Sequence, residues 1–191
     1  MPTRVVIAED EAIIRLDLKE TLEEEGYEVV GETGRGDEAV ELVKQHAPDV
    51  AILDIKMPGL DGLSAAREIA GERRAAVLIL TAFSQRDLVE QARDAGALAY
   101  LVKPFQRSEL IPAVEVAIGR FREMRALAEQ NQSLEDQLET RKLVDRAKGK
   151  LMDEHHLAEA DAFAFVQKTA MRERLTMKAV AERVLAGELA P

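Results

Sequence analysis

Short apolar runs of this sequence end in side chains that can handle a phosphoryl group. Glu9 and Asp10 follow one such run, Asp54 follows a second, Thr81 a third and Lys103 a fourth. Apolar runs of this length are typical of buried strands, and sites in open parallel sheets form outside the carboxyl ends of the strands. We therefore expect these residues to meet in one acidic pocket with three carboxylates, a hydroxyl and an ammonium group.

Such a pocket has a specific chemistry. Clustered carboxylates raise each other's pKa, so they are favoured where a cation binds, and oxygen ligands suit Mg²⁺. Asp54 is then a nucleophile for a phosphoryl group, Lys103 supplies a positive charge to the phosphoryl oxygens, and Thr81 donates its hydroxyl. A movement of Thr81 leaves space into which Tyr100 can turn, and Pro104 after Lys103 suits a cis peptide. Each residue also has an ordinary structural interpretation, but their joint occurrence favours the site.

The segments between the apolar runs have helical periodicity through residue 120, which is typical of βα units that form a parallel sheet. The sequence therefore predicts an α/β fold in this region. The predicted helices cover about 12–25, 36–47, 62–71, 85–95 and 108–120.

A long helix is predicted to follow. From about residue 108 to 152, Pro112 is the single helix breaker in the sequence. It lies in the first turn after the candidate N-cap Ser108, where proline is tolerated. Heptad-like spacing and a lone asparagine at an a-type position indicate a short two-stranded coiled coil over 121–140, with a linker helix packed on its own chain as the alternative. The side chains with this spacing are Met124, Leu127, Asn131, Leu134 and Leu138.

The remaining residues read as an all-α domain of three helices, the last capped by Thr176. The adjacent His155 and His156 are interpreted as turn residues, because no carboxylate spacing completes a metal site. The helices are expected at about 141–152, 159–174 and 177–187, and the domains at 1–120, 121–140 and 141–191.

Composition limits the class of protein. The 191 residues are 47% hydrophobic and 32% charged, which is typical of a globular protein, and the absence of cysteine excludes disulfides and thiolate metal sites. No apolar run approaches the roughly 20 residues that span a bilayer, and no signal-peptide core follows Met1, so we expect a cytoplasmic protein. The net charge of -10 disfavours nucleic acid as a partner of the whole chain. Residues 141–191, however, carry ten basic and eight acidic groups and are therefore mildly basic.

Residues 4 to about 120 resemble the receiver domain of two-component response regulators. The resemblance rests on motifs around five positions, Asp10, Asp54, Thr81, Tyr100 and Lys103. They read Ala8-Glu9-Asp10-Glu11, Leu53-Asp54, Met57-Pro58-Gly59, Asp61-Gly62, Leu80-Thr81-Ala82, Tyr100 and Lys103-Pro104-Phe105.

This resemblance implies a flavodoxin-like, doubly wound five-stranded parallel sheet and phosphorylation of Asp54 by a sensor histidine kinase. It also implies Mg²⁺ held by Asp10, Asp54 and the main-chain carbonyl of Lys56, with Glu9 acting through water. Thr81 and Tyr100 lie where the family has its switch pair. Glu9 departs from the aspartate that the family more often has, which alters the reach to the metal.

Residues 135 to 187 resemble the ANTAR domain, a three-helix RNA-binding module of transcription antiterminators. The core of the match is Ala147-Lys148-Gly149 with Leu151-Met152. The residues by themselves also allow an interpretation without nucleic acid, in which Gly149 permits tight helix packing and the lysines form a solvated face. The implied RNA contacts are Ala147, Lys148 and Gly149, followed by Arg141, Arg146, Gln167 and Arg174.

Two positions depart from the ANTAR pattern. Arg174 stands where many members have asparagine, and Ala158 stands where a capping serine or threonine is usual, so fraying is expected at the start of the second tail helix. The tail has no tryptophan or tyrosine, which disfavours an aromatic stacking platform and favours a structured RNA hairpin as the target.

The hypothesis from sequence is a response regulator in which phosphorylation of Asp54 controls RNA-hairpin binding and transcription antitermination. The expected partners are a sensor histidine kinase, RNA hairpins, RNA polymerase and a second copy of the chain. Its only reaction is Mg²⁺-dependent self-phosphorylation from a phosphodonor. The alternative is a DNA-binding transcription regulator, although the final helix offers only Lys178 and Arg183. A phosphatase of the haloacid dehalogenase type needs a second aspartate where Lys56 stands.

Overall fold

The computed structural model describes residues 2–82 and 86–191, without the side chain of Arg86. Gln85, the first residue of the predicted fourth helix, lies outside the described residues. The chain divides into two compact units, Met1–Ala126 and Leu127–Pro191. Both units are built around their own buried apolar cores.

The first unit is a five-stranded parallel sheet with helices on both faces. The strands have the order β2-β1-β3-β4-β5, which is the flavodoxin-like order, so the predicted fold class is confirmed. The strands are β1 (Arg4–Ala8), β2 (Glu28–Thr33), β3 (Val50–Asp54), β4 (Ala76–Thr81) and β5 (Ala99–Val102). The helices between them are α1 (Ala12–Glu24), α2 (Gly36–His46), α3 (Gly62–Gly71) and α4 (Arg86–Asp94).

Successive side chains along each strand point to opposite faces of the sheet, and both faces are buried under helices. In β1, Val5 and Ile7 pack into one core cluster, whereas Val6 and Ala8 pack into the other. Helix α1 contributes Leu18 to the first cluster, and α3 contributes Ile69 to the second. The near-continuous apolar runs are therefore explained by strands that are buried on both sides.

Helix α5 (Arg107–His155) follows β5 and is continuous over 49 residues. This single helix replaces the three consecutive helical segments that the sequence predicts at 108–120, 121–140 and 141–152. The boundary between the two compact units falls inside it, after Ala126. Among the described residues, no helix is long and apolar enough to cross a membrane.

The second unit contains the end of α5 with α6 (Glu159–Glu173) and α7 (Met177–Ala186). Its core is formed by small and medium apolar side chains of the three helices, with Leu151, Val166 and Val180 among its buried members. Thr176 caps α7 by accepting a hydrogen bond from the main-chain N–H of Ala179 at 3.2 Å, as predicted. Ala158 precedes α6 without a side-chain cap.

Candidate functional site

Four neighbouring strands deliver the predicted site residues to one edge of the sheet. Asp54 is the last residue of β3 and Thr81 the last of β4. Glu9 and Asp10 follow β1, and Lys103 follows β5. These strands run parallel, so their carboxyl ends lie side by side. Asp10, Asp54, Thr81 and Lys103 line a cleft of about 610 Å³ there.

Lys103 connects two of the carboxylates. Its Nζ lies 2.7 Å from Oδ1 of Asp54 and 2.5 Å from Oε2 of Glu9. Its main-chain N–H donates to the carbonyl of Thr81 at 2.8 Å, and the following peptide to Pro104 is cis, as predicted. Burial opposes the charged form of Lys103, but the hydrogen bonds and charges of Asp54 and Glu9 outweigh it and raise the pKa of the ammonium group.

Glu9 is the most deeply buried of the acidic residues, with no exposed surface. Burial raises the pKa of its carboxyl above the usual range; the contact with Lys103 opposes this rise, and the charge of Asp54 adds to it. Oε1 accepts a hydrogen bond from the main-chain N–H of Glu11 at 3.3 Å. Oε2 accepts no hydrogen bond of favourable angle from the described chain, although the Lys103 ammonium is adjacent.

Asp54 is held by the loop that follows it. Its Oδ2 accepts a hydrogen bond from the main-chain N–H of Lys56 at 2.8 Å. Gly62 at the start of α3 comes so close that a Cβ there would lie 1.8 Å from the main-chain oxygen of Asp54. The loop returns through a hydrogen bond from Gly62 N–H to the carbonyl of Ile55 at 2.9 Å. Backbone packing therefore fixes the position of the carboxylate in the cleft.

The donor set fits a divalent cation. One oxygen from each of Glu9, Asp10 and Asp54 lies within 4.8 Å of the others. Lys103 compensates one of the three negative charges, so an excess of negative charge remains for a metal ion. Hard carboxylate oxygens are the ligands that Mg²⁺ prefers, and Asp10 is exposed to solvent from which the ion can enter.

The two residues of the predicted switch pair lie on neighbouring strands. Thr81 is buried at the end of β4, whereas Tyr100 in β5 is 46% exposed. Tyr100 pairs in register with Ile79, two residues before Thr81. The aromatic ring is therefore turned towards solvent in this conformation.

In the second unit, the residues of the Ala147-Lys148-Gly149 core have three different environments. The Ala147 side chain is fully buried, so its role in this conformation is packing between helices. Lys148 Nζ lies 2.9 Å from carboxylate oxygens of both Asp145 and Glu159. A Cβ on Gly149 would meet nothing within 4 Å, so tight packing within the chain does not explain this glycine.

The other four residues with an implied RNA contact are at the surface. Arg141 and Arg146 lie on α5, Gln167 lies on α6, and Arg174 follows α6. In the part of the chain that the structure describes, their side chains have no hydrogen-bond or ion-pair partner. Arg174 follows α6 in a left-handed conformation with φ of 57°, a region that asparagine tolerates better than arginine.

The structure adds Arg15, which the sequence analysis did not single out. Its guanidinium Nη1 donates to the main-chain carbonyl of Glu9 at 2.5 Å and so supports the turn between β1 and α1. The residue lies in the first turn of α1, where no spacing or motif distinguishes it from other arginines of the chain. The signal could have come only from knowing where the turn carbonyl lies.

Comparison with known proteins agrees with this architecture. The response regulator receiver domain family matches residues 5–115, and the ANTAR domain family matches residues 132–185. The chain is a response regulator of the receiver–ANTAR family. It is a signalling protein rather than a catalytic enzyme.

Relatives support the same assignment. The transcriptional regulatory protein PdtaR of Mycobacterium tuberculosis is 62% identical over 185 residues, which cover 97% of this chain and 90% of that protein. The chemotaxis protein CheY of Bacillus subtilis is 38% identical over 120 residues, covering 62% of this chain and all of CheY. The first relative therefore matches both units, and the second matches the receiver.

Solved structures resemble the first unit. The receiver domain of NarL from Mycobacterium tuberculosis has a TM-score of 0.60 and 35% identity, and covers 62% of this chain and 97% of that one. The receiver domain of the sensor histidine kinase PA1611 from Pseudomonas aeruginosa has a TM-score of 0.57 and 31% identity, and covers 62% and 99%. The latter was solved with a magnesium ion coordinated in its active site cleft.

Proposed function

We propose that Asp54 accepts a phosphoryl group from a phosphohistidine of a sensor histidine kinase. The observation that carries this proposal is the Lys103 ammonium group within ion-pair distance of both Asp54 and Glu9 beside an open cleft. An oxygen of the Asp54 carboxylate attacks phosphorus, and the bond from phosphorus to the histidine nitrogen breaks, with its electron pair remaining on nitrogen. The other Asp54 oxygen stays oriented by the N–H of Lys56.

The acidic cluster gives the remaining roles. Asp10, Asp54 and the main-chain carbonyl of Lys56 would hold Mg²⁺, with Glu9 acting through water. When bound, the ion would supply positive charge to the carboxylate and phosphoryl oxygens. Lys103 and the Thr81 hydroxyl contact the phosphoryl oxygens after transfer.

Thr81 moves to make that contact, and Tyr100 turns from its exposed position towards the vacated space. Phosphorylation thereby changes the surface formed by β4 and β5.

Labelling by a phosphodonor tests this site. Wild-type protein incubated with radiolabelled acetyl phosphate and Mg²⁺ should become labelled, whereas Asp54→Asn should carry no label. Asp61→Asn is the matched control, because Asp61 caps α3 by accepting from Ser64 N–H at 2.9 Å and an asparagine can do the same. Undiminished label in Asp54→Asn would exclude the proposed acceptor.

The proposed output is binding of RNA hairpins by residues 141–191, which prevents transcription termination by RNA polymerase. The ANTAR match supports it, as do the four exposed polar side chains on α5, on α6 and directly after α6, which have no partner among the described residues. The open space beside Gly149 adds a second argument. Glycine in a helix interior costs about 1 kcal/mol relative to alanine, and no neighbouring atom of the described residues requires it here. Close approach of an RNA backbone at this position accounts for it.

The apolar stripe on α5, formed by Met124, Leu127, Leu134 and Leu138, supports a phosphorylation-dependent dimer through residues 121–140. Its apolar side chains lie at heptad-like spacing and are about half exposed, and the exposed Asn131 lies among them. A second copy of the same helix would bury this stripe.

Gel-shift measurements distinguish the RNA output from the alternative. The protein is mixed with hairpin RNA or with duplex DNA, before and after treatment with acetyl phosphate and Mg²⁺. We expect RNA binding that increases after treatment and is absent in Asp54→Asn. A phosphate-independent preference for duplex DNA would instead favour the DNA-binding regulator.

A further inference from the structure

An aromatic side chain lies at the surface of the second unit. Phe163 in α6 is 41% exposed, whereas Val166 and Ala170, which the sequence places on the same face, are buried. Phe163 also lines an open cavity of about 850 Å³, together with Arg141 and Lys148. The ring is therefore at the edge of the core with one part accessible from outside.

Phe163 is the first member of an exposed stripe on α6. Residues three and four apart share a helix face, so Phe163, Gln167 and Met171 lie in line, and Arg174 follows at the end of the helix. All four side chains are exposed, and Met171 is 71% exposed. No carboxylate occupies these positions, although the chain as a whole is strongly acidic.

The residue types of this stripe suit an unpaired base better than a protein surface. Aromatic faces stack on bases, amides bind base edges, and guanidinium groups bind phosphate or stack. The core of a protein interface is usually a contiguous apolar patch, but here Gln167 separates the two apolar side chains. The order along α6 is aromatic, amide, thioether and guanidinium.

The charges around the ring permit the approach of a phosphate backbone. Asp145 lines the same cavity and Glu159 begins α6, but both carboxylates pair with the Lys148 ammonium at 2.9 Å. Arg141, which also lines the cavity, has no partner in the described part of the chain. Lys148 offsets one of these two negative charges and Arg141 offsets the other, so the four groups beside the ring have no net charge, and Arg141 is the cation among them that can contact a phosphate. The other acidic lining residues, Glu129 and Asp136, lie upstream on α5.

We infer that Phe163 is a stacking platform for an unpaired base in the loop of an RNA hairpin, and that Gln167 and Arg174 continue the contact along α6. This inference rests on the proposed RNA binding and specifies how the bound loop is held. It also revises the expectation that the tail offers no aromatic platform, because that expectation considered only tryptophan and tyrosine.

Substitutions at Phe163 in the full-length protein test the stacking. The probe is a hairpin RNA chosen by the wild-type protein, after acetyl phosphate and Mg²⁺, from a pool with one constant stem and a randomised loop. We expect Phe163→Leu to weaken binding roughly 5- to 150-fold, the range of one lost base stack. Phe163→Trp should retain the wild-type affinity, because the indole also has a stacking face.

The absence of tryptophan from the chain provides a direct readout. The fluorescence of Phe163→Trp should be quenched by the selected hairpin and left unchanged by a blunt duplex of the same stem. Asp161→Trp is the matched control, since it places an indole on an exposed position of the same helix that is neither three nor four residues from any member of the stripe. Its fluorescence should not respond to either RNA.

The outcomes separate the two proposals. If the wild-type protein selects no hairpin, the proposed RNA function fails before the variants are used. If it selects one, but Phe163→Leu binds it with wild-type affinity or the indole at 163 is not quenched, the stacking inference is wrong. A change in the sedimentation mass of Phe163→Leu with unchanged RNA affinity would assign the stripe to contact with a second copy instead.

Discussion

At the scale of single residues, the acidic site depends on one cation and one glycine. Lys103 lies between the carboxylates of Glu9 and Asp54, and Gly62 permits the close return of the chain past Asp54. Another positive charge can partly compensate for loss of the Lys103 ammonium group. Nothing can compensate for a side chain at position 62, because its Cβ would overlap the backbone of Asp54. The two residues therefore make different predictions.

Replacement of Lys103 by methionine should destabilise the first unit by about 3 kcal/mol when Mg²⁺ is absent, because two buried carboxylates lose their shared cation. Added Mg²⁺ should restore part of this loss by supplying positive charge to the same oxygens. Urea denaturation with EDTA and with Mg²⁺ measures both effects. Lys142→Met, at an exposed lysine, should change little in either condition. A loss for Lys103→Met that is the same with and without Mg²⁺ would contradict a shared site.

Alanine at position 62 should destabilise the protein by about 2 kcal/mol or more, because its Cβ would overlap the main-chain oxygen of Asp54. Gly71→Ala at the end of the same helix is the matched control, since a Cβ there meets nothing within 4 Å. That substitution should be neutral or stabilising by up to about 1 kcal/mol, as alanine favours the helix. Thermal or urea unfolding of the two variants gives the comparison. Equal destabilisation at both positions would show that the close approach is not the cause.

At the scale of elements, the sequence predicts strands and helices well where periodicity and turn residues agree. The strand ends that carry Asp54 and Thr81 follow directly from the apolar runs, and Gly26 and Gly96 follow α1 and α4 with positive φ. The start of α5 was less well predicted. The sequence predicts Ser108 as the N-cap, but the helix already includes Arg107, and the Glu109 carboxylate accepts a hydrogen bond from the N–H of Gln106 at 2.8 Å.

The candidate site was predictable to a similar degree. The convergence of Glu9, Asp54 and Lys103 follows from strand order, because parallel neighbours align their ends. The ion pairs of Lys148 and the exposure of Phe163 do not follow from sequence. They depend on the angle at which α6 meets α5, and helical periodicity gives the face of a helix but not the partners at the edge of that face.

The end of α6 makes a prediction at this scale. Arg174 has a φ of 57°, a region that side chains other than glycine and asparagine adopt at a cost. Arg174→Gly should stabilise the second unit by about 0.5–1 kcal/mol, and Arg174→Asn should stabilise it by less. Urea denaturation of the full chain measures the change. Lys168→Gly in the exposed middle of α6 should have the opposite sign, since glycine weakens a helix interior.

At the scale of the whole molecule, charge is unevenly distributed along the chain. Residues 141–191 carry a small positive net charge, whereas the preceding residues carry the negative charge of the molecule. Because opposite charges attract, we predict that the acidic residues compete with RNA for the basic segment in the unphosphorylated protein. Salt should weaken this inhibition of RNA binding. We therefore expect the difference in RNA affinity between the phosphorylated and unphosphorylated forms to become smaller as salt is added. Filter binding at several salt concentrations measures this difference, and parallel salt curves for the two forms would exclude electrostatic inhibition.

The proposed dimer through the stripe on α5 makes the last prediction. Leu134→Glu places a charge in the middle of the stripe and should abolish the proposed dimer, which we expect after treatment with acetyl phosphate and Mg²⁺. Ser133→Glu adds the same charge one residue earlier on another face of α5, and should leave the dimer intact.

Sedimentation equilibrium of the full-length variants gives the mass of each species. Asn131→Leu should strengthen association in both phosphorylation states, because a buried asparagine at an a-type position costs stability while it fixes register and strand number. A dimer that survives Leu134→Glu and is unaffected by Asn131→Leu would require a surface other than this stripe. In that event the exposed leucines of α5 would be left without a partner, and the long helix would have to be explained as a linker alone.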